Sequence, residues 1–212
     1  DHHPFFHIRH LPMDMARLVC SILPLLFRLC RRTPEGEKYS RRVKGGAIIA
    51  ANHTSFADPF IVGVTFWYRR LHFLAAETVM RNKFVAFLLR GVGAIKIDRA
   101  GADIEAINTC VKKLKQGYLL SVFPQGKITQ NDDVETIKSG AVLMAIRANV
   151  PIIPIHIMPR RKWYCRRKVV IGNPIDPKAF SNGKAPSLMH IKKISAALAE
   201  EMARCKNANH QQ

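Results

Sequence analysis

Beyond residue 46 the chain alternates two kinds of pattern. Short, near-continuously apolar runs occupy Ala47–Ala51 (AIIAA), His72–Ala76, Ala94–Ile97 (AIKI), Tyr118–Phe123 (YLLSVF), Ile152–Ile157 (IIPIHI) and Lys168–Ile171 (KVVI). Runs this short and this apolar suit parallel strands buried on both faces. Between and after them lie helical patterns. Asp103–Gln116 repeats Ile104, Ile107, Val111 and Leu114 at steps of three and four, with acidic residues at its start and Lys112, Lys113 and Lys115 at its end before Gly117. Val134–Asn149 is a second helix. Ser187–Arg204 is a third, capped by Ser187 and presenting Leu188, Ile191, Ile194, Leu198 and Met202 on one side. The alternation predicts an α/β fold, a mixed, mostly parallel sheet flanked by helices.

The pattern changes before residue 47. Residues 1–12 are His-rich and unpatterned, an N-terminal extension, and the natural start is expected at Met13 or Met15. The apolar run Leu18–Leu29 (LVCSILPLLFRL) is interrupted by Pro24 and Arg28, and it falls well short of the roughly 20 residues needed to span a bilayer. Bracketed by Arg17, Arg28, Arg31 and Arg32, it suits a helix lying in the membrane interface, with cations on anionic headgroups. The plainer alternative is an amphipathic helix packed on its own domain. A signal peptide fits poorly, because RRTPEGEKYSRR comes where a small-residue cleavage site belongs. The expected organisation is an extension at 1–12, an interfacial helix and linker at 13–46, and the main domain at 47–206.

Charge sharpens this picture. With 34 Lys+Arg against 15 Asp+Glu the net charge is +19, which suits nucleic acid, an anionic membrane or phosphorylated ligands. Position decides: one basic cluster flanks the apolar run, and the other is the nonamer Arg160–Lys168 (RRKWYCRRK), expected as a hairpin or loop between two strands. No nucleic-acid motif is present, so no nucleic-acid partner is expected. The five scattered cysteines contain no CxxC pair, which argues against a disulfide framework or structural zinc and for a reducing, cytosolic compartment. No metal or cofactor is expected.

Candidate chemistry gathers at strand ends. His53 and Asp58 stand five residues apart in the turn after the first strand, where open α/β sheets place their ligand sites. The spacing lets the carboxylate fold back on one ring nitrogen and leave the other free as a general base; a loop histidine bonding only locally is the bland alternative. Ser55 is expected to cap the next helix. Two further strand ends carry Arg99 and the Gln125-Gly126-Lys127 turn, placing a guanidinium and an ammonium on the same edge of a parallel sheet.

Taken in order, NHTSFADP (Asn52–Pro59), GAIKIDR (Gly93–Arg99), FPQG (Phe123–Gly126) and VPIIPI (Val150–Ile155) resemble the four blocks of the glycerolipid acyltransferases of the 1-acylglycerol-3-phosphate (lysophosphatidate) acyltransferase type. The resemblance spans roughly residues 15–200. It implies a glycerol-3-phosphate acyltransferase-like fold. It further implies transfer of a fatty acyl group from acyl-CoA or acyl carrier protein to a lysophospholipid hydroxyl, foremost 1-acylglycerol-3-phosphate, at the cytoplasmic face of a bacterial membrane. By the same resemblance His53 is the base, Asp58 its partner, and Arg99, Gln125, Gly126 and Lys127 bind substrate. The third block departs from the usual FPEGTR, with Gln125, Lys127 and Ile128 replacing Glu, Thr and Arg. That departure leaves two alternatives, an acyltransferase for another lyso-lipid headgroup and an inactive lipid-binding or membrane-scaffold protein. Phe56, Phe60, Val64 and Phe66, or Phe84–Leu89, are the expected lining of an acyl groove.

Overall fold

A computed structural model describes residues 30–32, 44–55, 57–66, 68–76, 79–81, 89, 93–97, 104–123, 139–159, 167–181 and 187–207. Seven strands form one sheet: β1 (Cys30–Arg32), β2 (Ala47–Ala51), β3 (Leu71–Ala76), β4 (Ala94–Ile97), β5 (Leu119–Val122), β6 (Ile152–Ile157) and β7 (Arg167–Ile171), in the order β1-β7-β6-β2-β5-β3-β4. All neighbouring pairs are parallel except β6 with β7. The helices are α1 (Asp58–Thr65), α2 (Ile104–Lys115), α3 (Ser139–Ala148), the short α4 (Lys178–Ser181) and α5 (Leu188–Asn207). Each of the short apolar runs beyond residue 46 is a strand, and β2, β5 and β6 are buried along their whole length. That is why their sequences are continuous rather than alternating. β1 lies in a basic stretch with no strand pattern, and it joins the sheet edge by backbone pairing to β7.

The sheet separates two cores. On one face Ile48, Ala50, Leu120, Val122 and Ile152 pack under α2, α3 and α5; on the other, Ala47, Ile49, Ala51, Ile153, Ile155 and Val169 pack under α1 through Ile61, Val62 and Phe66. The buried stripe of α2 is Ala106, Cys110 and Leu114, with Ile107 and Val111 beside it, whereas Ile104 is 62% exposed. The sequence placed Ile104 on the core face; the small Ala106 and Cys110 instead mark the line of closest approach. In α5 the buried residues are Ile194, Leu198, Met202 and Cys205, and Leu188 is exposed. Ser187 Oγ accepts the His190 N–H at 3.4 Å and caps this helix as expected.

The start of β2 is a steric anchor. A Cβ on Gly46 would stand 2.0 Å from the Leu114 carbonyl oxygen at the end of α2. Gly117, at φ +87°, ends α2 with its N–H on the Leu114 carbonyl and the Tyr118 N–H on the Lys113 carbonyl, a left-handed helix terminus that glycine adopts without strain. The Arg69 guanidinium donates to the Gly45 and Gly117 carbonyls, tying the two segments together.

Candidate active site

The opposite end of β2 is held by polar side chains. Asn52, 1% exposed, donates from Nδ2 to the Ile157 carbonyl at 3.0 Å and accepts the Ile157 N–H on Oδ1 at 2.7 Å. Its amide continues the pairing of β2 with β6 one step beyond the backbone ladder and satisfies groups that burial would otherwise leave unpaired. The next residue is therefore delivered at a fixed place on the C-terminal edge. There the connections diverge: the chain leaving β2 crosses towards β3, and the chain leaving β6 turns the other way to β7. Such a divergence opens the crevice in which α/β sheets bind ligands.

His53 stands at this point, its side chain 15% exposed, with Nδ1 3.3 Å from Asp58 Oδ2. Asp58 opens α1, followed by Pro59 at a position where a missing N–H costs nothing. Its fully buried carboxylate folds back to accept the Thr54 N–H at 2.7 Å and the Ser55 N–H at 2.6 Å on Oδ2. Arg167 Nη1 donates to the other oxygen, Oδ1, at 2.6 Å. Burial pushes the Asp58 carboxyl upward, but the bond to His53, the Ser55 and Thr54 N–H groups and the charge of Arg167 outweigh it and hold the group below the ordinary aspartate range. With Nδ1–H donated to this carboxylate, the imidazole keeps the lone pair of Nε2 for a proton. Phe123, just beyond β5, stacks on the ring with centroids 4.3 Å apart and planes inclined by 28°. The imidazole is thus gripped at one edge and braced on one face.

His53 and Asp58 are in contact, as their spacing suggested. Arg99, Gln125, Gly126 and Lys127 lie outside the described residues, as do the apolar run Leu18–Leu29, Phe56 and Phe84. β5, which leads to the Gln125 turn, pairs in parallel with β2, and β4, which leads to Arg99, is parallel to it through β3 and β5, so both end on the same edge. Ser55 does not cap α1 with its side chain; Ala57 occupies the cap, and Ser55 Oγ accepts the Ala57 N–H at 3.2 Å while its carbonyl accepts the Asp58 N–H. The serine closes the turn that aims Asp58. Val64 and Phe66 are core residues, whereas Phe60 is 50% exposed.

Sequence reasoning missed Asn52, Phe123 and Arg167 as partners of the histidine turn. Arg167 was hidden in the basic nonamer, whose residues 160–166 lie outside the described residues. Among the described residues no three His, Cys, Asp or Glu side chains cluster as metal ligands.

The chain is 26% identical over 202 residues to the 1-acyl-sn-glycerol-3-phosphate acyltransferase of Bacillus subtilis, covering 91% of this chain and 98% of the relative. It is 29% identical over 142 residues to the lyso-ornithine lipid O-acyltransferase of Pseudomonas aeruginosa, covering 64% of this chain and 52% of that protein. The crystal structure of the 1-acyl-sn-glycerophosphate acyltransferase PlsC from Thermotoga maritima superposes with a TM-score of 0.52 at 21% identity, over 94% of this chain and 97% of that one, so the fold is shared. A profile of the acyltransferase family matches residues 31–158, a span that contains all the motif blocks and both members of the His53–Asp58 pair. On the strength of that match the chain belongs to the acyltransferase family.

Proposed function

We propose that the protein is a glycerolipid O-acyltransferase that moves a fatty acyl group from acyl-CoA or acyl carrier protein to the free hydroxyl of a lysophospholipid, foremost 1-acylglycerol-3-phosphate. The observation that carries this reading is the His53–Asp58 contact on the C-terminal edge of the sheet, with Nε2 left as an acceptor. A neutral hydroxyl attacks a thioester poorly. As its oxygen bonds to the acyl carbon, His53 Nε2 takes the hydroxyl proton; collapse of the tetrahedral intermediate breaks the carbon–sulfur bond, and the imidazolium returns the proton to the departing thiolate. Such proton transfer contributes about 10²- to 10⁴-fold. Asp58 fixes the tautomer, and Phe123 limits rotation of the ring. Arg99, Gln125, Gly126 and Lys127 bind the substrates in this reading.

In the same reading the reaction takes place on the cytoplasmic face of the membrane. Cys30, the first residue of β1, pairs with Arg167 and so stands on the edge that carries His53. Among the described residues no helix is long and apolar enough to cross a bilayer. The altered third block and the likeness to a lyso-ornithine lipid acyltransferase favour a second acceptor class, a lyso-lipid whose headgroup carries an amino acid. Purified protein in lipid vesicles, offered labelled acyl-CoA or acyl carrier protein with each lyso-lipid in turn, distinguishes the acceptors. Wild-type turnover by His53→Ala would overturn the mechanism.

A further inference from the structure

Asp58 makes contacts with two potential cations, and they fall on different oxygens. His53 Nδ1 is 3.3 Å from Oδ2, while Arg167 Nη1 is 2.6 Å from Oδ1, and the carboxylate side chain is fully buried. A buried carboxylate needs a counter-charge. If the imidazole supplied it, the base would already hold the proton it is meant to accept. A guanidinium stays charged at any working pH and grips a carboxylate at short range.

We propose that Arg167 is a positioning residue of the His53–Asp58 pair: it neutralises Asp58 from the far oxygen, so that Asp58 orients the imidazole without protonating it. This rests on the reading of His53 as general base. Three features fit. Arg167 is 109 residues from Asp58 in sequence and reaches it only because β7 runs antiparallel to β6 and begins at the site's edge. Its alternation with Val169 and Ile171 puts its side chain on the face of the sheet that α1 covers. Its side chain is only 12% exposed, and Nε, also buried, has no hydrogen-bond partner among the described residues. The guanidinium is thus withdrawn from water to meet one acceptor. Among the described residues the ionisable groups in contact with Asp58 are His53, from the turn after β2, and Arg167, from β7.

Removing the guanidinium leaves imidazole and carboxylate to share one proton, and imidazole is the stronger base, at ordinary values of about 6.5 against 3.9. In Arg167→Met the His53 ring, followed by NMR of ¹⁵N-histidine-labelled protein and assigned with His53→Gln, should titrate about one pH unit higher than in wild type. The acidic limb of kcat/KM for acyl transfer should move upward with it, and Arg167→Lys should restore most of both. An unmoved ring titration in folded Arg167→Met overturns the proposal, as does an equal loss of activity at every pH, which is what a purely structural ion pair predicts. Should Arg167→Met fail to fold, Arg167→Gln carries the test, since it keeps a donor for Asp58 without the charge and should shift the ring upward likewise, and no shift refutes the idea. The ring titration needs no substrate. A shifted ring in a protein that acylates no lyso-lipid therefore sinks the proposed function alone, and an unmoved ring in an active enzyme sinks only this proposal.

Discussion

The two ends of β2 are fixed by opposite means. At its start Gly46 is pressed against the Leu114 carbonyl with no room for a side chain, and the Arg69 guanidinium ties the neighbouring Gly45 and Gly117 carbonyls together. At its finish Asn52, His53 and Asp58 form a web of side-chain hydrogen bonds reaching β6, the adjoining turn and β7. One end tolerates no added atom; the other depends on which atoms are present. The contrast teaches that a single strand can separate stability from chemistry along 5 residues.

The sharpest way to break that contrast is at the chemical end. His53→Ala should lower acyl-transfer kcat by about 10²- to 10⁴-fold and lower the melting temperature only slightly, because Arg167 and the Thr54 and Ser55 N–H groups still hold the Asp58 carboxylate. A variant that loses stability as heavily as activity would erase the distinction. At the steric end, Gly46→Ala should cost about 3 kcal/mol or more, the upper range for overpacking, because the clash is with backbone rather than a side chain that can turn aside. Denaturant titration reads that loss, and the specific activity of the molecules that remain folded should stay near wild type. Asn52→Ala tests the junction. It removes two buried hydrogen bonds and leaves the Ile157 N–H without its partner, for about 1–3 kcal/mol, and it should lower activity too, since His53 is the very next residue. Loss of stability alone would place Asn52 with the steric end.

The narrowest test reads only the shape of the acid limb of stability, and it concerns Asp58. Its folded-state carboxyl lies below the ordinary aspartate range, so its contribution to stability is fully present above about pH 4. It is lost only as pH falls through the lower folded value. Asp58→Asn should therefore flatten the acid side of a stability-against-pH curve. An unchanged acid limb would show that Asp58 is not held in its charged form by folding.

Legibility in the sequence depended on where each residue's partners lie. The strands were readable because both faces of β2, β5 and β6 are covered, which forces an unbroken apolar run. β1 was not, because CRR at a sheet edge is selected by backbone pairing and carries no side-chain pattern. The stripe of α2 was read from its largest residues, whereas the packing is set by Ala106 and Cys110, which permit close approach. His53 and Asp58 could be joined from sequence because five residues of turn bring them together. Arg167 could not, because its local composition is that of a basic surface loop and its partner is distant in the chain.

The reversal of β7 carries a consequence for how this molecule tolerates change. In β2, β4 and β5 the edge nearest the chemistry is reached by the last residue, and the residues that follow carry His53, Arg99 and the Gln125 turn. In β7 the same edge is reached by the first residue, so the chain must enter the strand in register. Adding or deleting a residue close to Arg167 would swing a guanidinium away from its carboxylate. Where β7 begins is therefore set by the carboxylate that its first side chain must meet.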